Sequence, residues 1–306
     1  MIGQQQLSLF EGAHTPKLRP LSRAQAQVRT ITICGVGLIG GSIAERLRRR
    51  FRGLTVLGYD RDSVIRAALR AKVISRGATS LSQALAASDL VILSATPSAN
   101  ERLLTQLARA RVTTDALICD TGSTQGAISR HAAGLNWNNA ARFIAGHPMA
   151  GREVQGLANR QGELFQRHPF FFDASIALSA RDRRRIQWFA QALGSYPIFV
   201  NSERHDRIMT DLSHIPQLVS TVIGAFVAGF DQRTIQLAGT GLQSMIRLGG
   251  SPYSNWRDVF ADNRDNLVDR LDALIAALAQ VRKEIARGGD LAGRFREAQR
   301  SYRCLW

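Results

Sequence analysis

The stretch ITICGVGLIGGS, residues 31–42, decides the fold. An apolar, β-rich run leads directly into Gly35, Gly37 and Gly40, which are spaced as G-x-G-x-x-G, and a helical pattern follows at once. Gly35 allows a tight turn, Gly37 lets a pyrophosphate approach the backbone, and Gly40 lets the helix pack closely on the strand. Such a helix points its free N–H groups and its positive end at the phosphates. The motif therefore predicts the dinucleotide-binding turn of a Rossmann-like sheet.

A carboxylate ends the second predicted strand and bears on the choice of cofactor. LTVLGYD, residues 54–60, places Asp60 25 residues after Gly35. A carboxylate there accepts both ribose hydroxyls of NAD and repels the 2′-phosphate of NADP. Arg61 follows and could tolerate that phosphate, so NAD is the expected cofactor and NADP stays open as an alternative. The other candidate cofactor contacts are Leu38, Ile39, Thr96 and Pro97.

Short β-rich runs alternate with helical stretches from Thr30 onward, a spacing that argues for βαβ units and a parallel sheet. After Asn201 the strand signals stop and the pattern is helical. The sequence therefore predicts an α/β chain, with a Rossmann-like, doubly wound parallel sheet followed by an all-helical domain. The predicted strands are 30–35, 54–60, 89–94, 115–119 and 142–145, with a further pair near 170–178 and 196–200. The predicted divisions are a flexible extension over residues 1–28, a nucleotide-binding domain over 29–190 and a helical substrate domain over 191–306.

The composition argues against several other classes of protein. Hydrophobic residues make up 45% of the 306 residues, so disorder is not the expectation for most of the chain. The apolar stretch at residues 218–230 is too short to span a bilayer, and the first thirty residues lack the apolar segment of a signal peptide. A cytoplasmic protein with no membrane partner is expected. The three cysteines form no CxxC pair, and no metal site is signalled.

The net charge of +16 comes mostly from arginine. The basic clusters at 46–52 and 181–185 are not interleaved with stacking aromatics, and no helix-turn-helix or zinc pattern accompanies them. A nucleic-acid partner is therefore not expected, whereas a positive potential that collects anionic substrates and dinucleotides is. Near the N-terminus, Gln6–Phe10 (QLSLF) resembles the short peptides with which bacterial proteins bind the replication sliding clamp, a five-residue match that arises readily by chance.

Two polar side chains follow neighbouring predicted strands. CDTGSTQG places Ser123 after one strand, and FIAGHPMAGRE places His147 after the next. Taken alone, the serine is more often a helix N-cap and the histidine before proline more often a structural turn residue. Because the carboxyl ends of parallel strands meet at one rim, both are nevertheless expected beside the nicotinamide, where they can take part in chemistry.

The helical half offers further candidates. LSHIPQLVS holds Ser213, His214 and Gln217 near a helix start that Pro216 limits, and taken alone this is an ordinary capped helix. Arg247 stands just before a Gly-Gly-Ser-Pro break, where an arginine could instead interact with the last carbonyls of its own helix. The residues themselves leave both readings open.

From about residue 30 to about residue 286 the chain resembles the TyrA family, the prephenate and arogenate dehydrogenases. GVGLIGGS, DTGS, GHPMAGRE, LSHIPQL and an arginine followed by WRDVF occur in the order and spacing of that family, and GHPMAG followed by SHIP is highly specific. The resemblance implies a helical dimerisation domain after the Rossmann-like domain, and hence a homodimer that acts on a small molecule. The site residues that it implies are His147 as the catalytic hydrogen-bond acceptor with Ser123 beside it, Arg247 as the partner of a substrate carboxylate, and His214, Gln217, Ser213 and Trp256 in the substrate pocket.

Three departures from the family concern substrate preference. Relatives often carry another histidine at the position of Gln217, an Arg-Asp pair where this chain has Gln243-Ser244, and a small or hydroxyl residue at the position of Arg152. Arg152, if it faces the pocket, would repel the ammonium group of arogenate. Prephenate is therefore the expected substrate and arogenate the alternative.

The implied reaction is the NAD-dependent oxidative decarboxylation of prephenate to 4-hydroxyphenylpyruvate, a step of tyrosine biosynthesis. A neutral His147 would accept the 4-hydroxyl proton while C4 gives up a hydride. A β-hydroxyacid dehydrogenase would need a catalytic lysine in the helical half, where Lys283 is the one lysine and lies near the chain's end. A dehydrogenase for an amino-substituted prephenate and an NAD-binding redox sensor or regulator stay open as further alternatives.

Overall fold

A computed structural model describes residues 20–305 of the chain, and of Leu305 it describes the backbone alone. The clamp-like peptide Gln6–Phe10 lies outside the described residues. Among the described residues, no helix is both long enough and apolar enough to cross a membrane.

Six parallel strands form the central sheet. Their bounds are β1 Thr30–Cys34, β2 Thr55–Tyr59, β3 Arg76–Gly77, β4 Leu90–Leu93, β5 Leu117–Asp120 and β6 Arg142–Ile144. Their order across the sheet is β3-β2-β1-β4-β5-β6, and every neighbouring pair is parallel. The order reverses between β1 and β4, which is the crevice where doubly wound sheets bind their ligands. The predicted Rossmann-like sheet is confirmed, and the two-residue strand β3 is an addition to it.

Helices connect these strands and cover the sheet. Their bounds are α1 Arg23–Ala26, α2 Leu38–Arg50, α3 Asp62–Arg70, α4 Leu81–Ala86, α5 Pro97–Arg109 and α6 Gly126–Ala133. Local chemistry fixes several starts: the Ser80 hydroxyl accepts a hydrogen bond from Gln83 N at 3.1 Å, and Pro97 occupies the first turn of α5, where its missing N–H costs nothing.

Residues 20–28 do not continue as a flexible extension, so that prediction is wrong for this segment. Ala26 and Val28 are fully buried, and Leu21 N donates to Gln191 Oε1 at 2.9 Å. The reason is packing: α1 places its apolar side against the same core that the first strand enters.

A second, three-stranded sheet extends the nucleotide-binding half. It consists of β7 Gly146–Pro148, β8 Pro169–Asp173 and β9 Tyr196–Val200, with helix α7 Ala180–Leu193 between the last two strands. β7 runs antiparallel to β8, with His147 opposite Phe171, and β9 runs parallel to β8. A division after residue 190 would separate β9 from its partner strand. We therefore propose that the first domain extends to Val200.

The second half of the chain is helical, as predicted. Its helices are α8 Ser202–Met209, α9 Ile215–Val227, α10 Gln232–Gln236, α11 Thr240–Ile246, α12 Arg257–Asp262, α13 Arg264–Ala286 and α14 Ala292–Leu305. A π-helical turn over Thr210–His214 joins α8 to α9, and such turns occur frequently at functional sites. The predicted helix over 255–286 is interrupted at Asn263, whose backbone (φ −113°, ψ 25°) leaves the helical region.

Candidate active site

The glycine-rich turn has the shape that a pyrophosphate requires. Gly35 has φ +94°, and a Cβ added there would lie 2.6 Å from Ser94 O, so a side chain is excluded both by conformation and by contact. A Cβ on Gly40 would lie 2.0 Å from Gly35 O, so α2 depends on this glycine for its close approach to the strand. A Cβ on Gly37, by contrast, would meet no atom within 4 Å. The turn thus leaves open space where phosphates approach.

The residues around this turn suit NAD. The carboxylate of Asp60 accepts a hydrogen bond from Val36 N at 2.7 Å, which ties it to the turn, and another from Arg61 N at 2.7 Å. The Arg61 guanidinium is largely exposed, with its Nε 3.9 Å from Asp60 Oδ1. Leu38 and Ile39 open α2, whose first turn has no side-chain cap. Thr96 and Pro97 begin α5 at the carboxyl end of β4, the neighbour of β1 in the sheet.

His147 is the buried centre of the site. Its Nδ1 lies 3.0 Å from Nε2 of His205, and Nδ1 of His205 lies 2.8 Å from Oδ1 of Asp206. All three side chains are buried. His147 comes from β7, whereas His205 and Asp206 come from α8, so the chain of hydrogen bonds joins the two halves of the protein.

The direction of these hydrogen bonds fixes the free atom of His147. The Asp206 carboxylate can only accept, so a neutral His205 ring would carry its proton on Nδ1 and have an unprotonated Nε2. That Nε2 in turn accepts the proton on Nδ1 of His147. The Nε2 of a neutral His147 is consequently left unprotonated and able to accept a proton.

Burial keeps His147 in this neutral form. Desolvation lowers the pKa of His147 well below the ordinary 6.5, and the nearby rings of His205 and His214 lower that pKa further. A neutral imidazole at working pH is the state that a general base needs.

Asp206 also caps the start of α6, which belongs to the first half of the chain. Its two carboxylate oxygens each accept a backbone N–H at 2.8 Å, from Gln125 and from Gly126 at the start of α6. Ser123 is therefore not the N-cap of α6, a reading that the sequence left open. Ser123 is half-buried in the loop before α6 and makes no hydrogen bond with the described residues.

Asp120, at the carboxyl end of β5, holds the two loops of the site together. Its Oδ2 accepts a hydrogen bond from Gly122 N at 2.9 Å, and its Oδ1 accepts one from Gly146 N at 2.8 Å. These backbone groups directly precede Ser123 and His147. Burial raises the pKa of Asp120 to about 7, against the lowering effect of these N–H donors. One carboxyl group thus brings both predicted catalytic residues to the same place.

His214 and Gln217 form a second buried group, on the π-helical turn and α9. Both side chains are buried, and each has one polar atom without a partner among the described residues: Nε2 of His214 and Oε1 of Gln217. The amide nitrogen of Gln217 donates to Leu248 O at 2.9 Å, so its oxygen is the free end. The ring of Trp256 packs edge-on against His214, with 6.1 Å between ring centroids. Ser213, beside His214, is half-buried.

The two predicted arginines lie outside this buried group. Arg247 is 63% exposed and pairs with the carboxylate of Glu153, a residue of the loop that follows the GHPMAG segment. It does not hydrogen-bond the carbonyls of its own helix. Arg152 is exposed. A substrate carboxylate on Arg247 would replace the carboxylate of Glu153, whereas Arg152 contributes no contact to the site.

The site contains residues that sequence reasoning missed. Asp120 ends a strand at the rim, a signal that could have identified it. His205 and Asp206 sit in an ordinary amphipathic helix, and Asn263 lies beyond α12, with no local motif that points to the site. Their role depends on contacts between distant parts of the chain.

Comparison with known proteins gives matches over both halves. A family model described as "Prephenate dehydrogenase, nucleotide-binding domain" matches residues 43–175, and one described as "Prephenate dehydrogenase, dimerization domain" matches residues 201–297. Together the two matches span most of the chain.

Individual proteins are similar over nearly the same span. Cyclohexadienyl dehydrogenase of Zymomonas mobilis is 27% identical over 89% of this chain and 94% of its own length. Prephenate dehydrogenase of Bacillus subtilis is 26% identical over 83% of this chain and 69% of its own length. The solved structure of prephenate dehydrogenase from Aquifex aeolicus, in complex with hydroxyphenyl propionate and NAD+, superposes with a TM-score of 0.82 at 22% identity, over 94% of this chain and 100% of that one. This last likeness concerns the fold.

Proposed function

The chain belongs to the prephenate dehydrogenase family, and from this membership we propose that it is an NAD-dependent dehydrogenase that converts prephenate to 4-hydroxyphenylpyruvate and CO2. The observation that carries the proposal is the buried His147, whose Nε2 is kept as a free acceptor beside the nucleotide-binding rim. The relatives named prephenate and cyclohexadienyl dehydrogenase support the same reaction.

The residues of the chain suit the steps of this reaction. Bound NAD+ supplies the hydride acceptor. His147 accepts the proton of the substrate's 4-hydroxyl at Nε2 as the hydride leaves C4 and the ring carboxylate departs as CO2. The proton that His147 already carries on Nδ1 stays hydrogen-bonded to Nε2 of His205. The Asp206 carboxylate, bonded to His205, stabilises the positive charge that develops on the His147 ring. Arg247 is the proposed partner of the substrate carboxylate.

Arogenate is the second candidate substrate, because Gln217 favours it. The buried Oε1 of Gln217 lacks a hydrogen-bond donor, and the ammonium group of arogenate is one. Arg152 would favour prephenate only if its side chain faced the pocket, and Arg152 is exposed. The side chain of prephenate offers no such donor, so the two substrates differ in how they would satisfy Gln217.

The test is a direct assay of the purified protein for NADH and NADPH formation with prephenate and with arogenate. We expect NADH from prephenate, and faster turnover with NAD than with NADP because the Asp60 carboxylate would accept the ribose hydroxyls and repel a 2′-phosphate. Equal or better use of NADP would show that Arg61 outweighs Asp60. No reduced nucleotide from either substrate, with folded protein that binds NAD, would contradict the proposal and favour a nucleotide-sensing role.

We also propose that the protein is a homodimer joined through its helical half. The matching family model for residues 201–297 is described as a dimerization domain. Large apolar side chains are exposed there, with Phe226 at 78% and Leu237 at 85%. Apolar surface of this kind marks protein–protein contact in soluble proteins.

A further inference from the structure

We propose that Asn263 fixes His214 as a hydrogen-bond donor toward the substrate, so that the site presents its two buried histidines in opposite tautomers. His147 offers an unprotonated Nε2, and His214 offers Nε2–H. The proposal rests on the proposed function in one respect: the oxygen that accepts the hydrogen bond from His214 Nε2–H belongs to the substrate.

The orientation of the Asn263 amide follows from its partners. The side chain is buried, and its Nδ2 lies 3.0 Å from Asp206 O and 2.8 Å from Thr210 Oγ1. A backbone carbonyl only accepts, and the Thr210 hydroxyl already donates its proton to the same carbonyl at 2.7 Å. Neither neighbour has a hydrogen to offer the amide, so the NH2 end must face them. Asp206 O already accepts from the Thr210 hydroxyl, so the two N–H groups of Nδ2 are needed for Thr210 Oγ1 and for a third neighbour, the ring of His214. The opposite end, Oδ1, accepts from Asn266 at 2.7 Å.

This orientation determines which nitrogen of His214 is protonated. Nδ1 of His214 lies 3.0 Å from the same Nδ2 of Asn263. An amide nitrogen donates and does not accept, so Nδ1 of His214 must be the acceptor. Burial lowers the pKa of His214 to about 4, which keeps the ring neutral at working pH. The one ring proton is then on Nε2.

The protonated Nε2 requires a partner that the described residues do not provide. It is buried and makes no hydrogen bond with them, and leaving such a donor unpaired costs free energy comparable to a lost hydrogen bond. Asn263 bonds both His214 and the backbone of Asp206, whose carboxylate leads through His205 to His147, so the two histidines belong to one buried cluster. A substrate bound at His147 therefore meets a donor at His214, and the matching group is a carboxylate or carbonyl oxygen. An ammonium group there would set a donor against a donor.

The decisive variant is Asn263→Asp, because a carboxylate only accepts. The carboxylate would accept a hydrogen bond from Nδ1 of His214, so the ring would carry its proton on Nδ1 and Nε2 would become a hydrogen-bond acceptor. In long-range ¹H–¹⁵N spectra of substrate-free protein, we expect unmodified His214 to be protonated on Nε2 and the variant to be protonated on Nδ1. The His214 signals are assigned by their loss in His214→Asn. We further expect KM for prephenate to rise about tenfold to a hundredfold in the variant, with the Kd for NAD unchanged, since a substrate oxygen loses its donor.

Asn266→Ala is the matched control, since it removes the hydrogen bond to Asn263 Oδ1 without changing which end of the amide faces His214. It should keep the Nε2–H tautomer and a KM within about twofold of the unmodified protein, because no group that faces His214 is altered. A His214 ring protonated on Nδ1 in the unmodified protein would overturn the proposal, even if Asn263→Asp does not fold. An unchanged KM in a folded Asn263→Asp protein would overturn it as well. Failure of the proposed function would appear differently, as absence of turnover with the Nε2–H tautomer intact.

Discussion

At the scale of single residues, the chemistry depends on the free Nε2 of His147. Asn in its place has similar size but cannot accept a proton at working pH. We expect His147→Asn to lower kcat by about 10²–10⁴, the usual contribution of a general base, and to leave NAD affinity nearly unchanged. Steady-state kinetics and nucleotide titration measure the two effects. A variant with near-normal kcat would remove His147 from the mechanism.

The lowered pKa values of His147 and His214 determine how kcat/KM and stability should depend on pH. The base works in its neutral form, and its pKa lies well below the ordinary 6.5, so kcat/KM should not fall as pH passes downward through 6.5. Stability responds differently from kcat/KM: an unfolded histidine binds a proton below about 6.5 while the folded, buried ring does not, so stability is lost as pH falls below that value. An acid limb of kcat/KM centred at 6.5, in protein that stays folded, would contradict the burial argument.

Arg247 can be tested against its partner Glu153. If Arg247 holds a substrate carboxylate, Arg247→Ala should raise KM for prephenate about tenfold to over a hundredfold, because a hydrogen bond to a charged group contributes about 1.5–3 kcal/mol. The melting temperature should barely change, since the Arg247–Glu153 pair is exposed and such pairs contribute little to stability. A lowered melting temperature with an unchanged KM would instead give Arg247 a structural role.

At the scale of elements, Asp120 ties β5, the loop before α6 and β7 to one another. Asn at this position has one acceptor oxygen for two backbone N–H groups and turns an NH2 toward one of them. We expect Asp120→Asn to lower kcat by about tenfold to a hundredfold, because small displacements of catalytic groups have effects of that size. KM for NAD should change less.

Asp89→Asn provides the matched control for this variant. Asp89 also accepts two backbone N–H groups, both at Oδ2, from Arg29 at 2.7 Å and Thr30 at 3.0 Å, and its Oδ1 lies 3.6 Å from the Arg185 guanidinium, at the opposite end of the sheet. Both substitutions should lower the melting temperature, and Asp120→Asn alone should lower kcat. Equal loss of kcat in the two variants would show that Asp120 acts only through stability.

Elements with local signals were predictable from the sequence, whereas contacts between distant elements were not. The turn at Gly35, the strand that ends at Asp60 and the position of His147 each follow from short-range patterns with a physical cause. The packing of residues 20–28 and the roles of His205 and Asn263 depend on which face of a helix meets a remote strand. Periodicity places such a residue on a helix but does not identify its partner, so the hydrogen bonds that direct His147 were missed.

At the scale of the whole molecule, the exposed apolar face of α9 tests the homodimer. Val222 and Phe226, four residues apart on α9, are 65% and 78% exposed. We expect Phe226→Asp to shift the protein from twice its chain mass of 33.6 kDa toward the monomer in sedimentation velocity, because a buried, unpaired carboxylate would oppose association. Leu69→Asp, a similar change on α3 at a side chain 40% exposed, should leave the dimer intact. A Phe226→Asp protein that stays dimeric would place the interface elsewhere.

The hydrogen bonds from Asp206 through His205 to His147 have a consequence for how this protein can evolve. His147, the proposed base, lies in the first half of the chain, whereas His205 and Asp206, which determine which of its nitrogens is protonated, lie in the second. The Asp206 carboxylate also caps the start of α6 in the first half. Neither half is therefore a self-sufficient catalytic unit that could be exchanged freely between relatives. A chimaera that joins the halves of two relatives at residue 201 would have a working base only if α8 of one relative can form the same hydrogen bonds with β7 and with the start of α6 of the other. We expect substitutions in these three segments to be inherited together, even though the residues of the nucleotide-binding turn and of the proposed dimer interface can diverge independently.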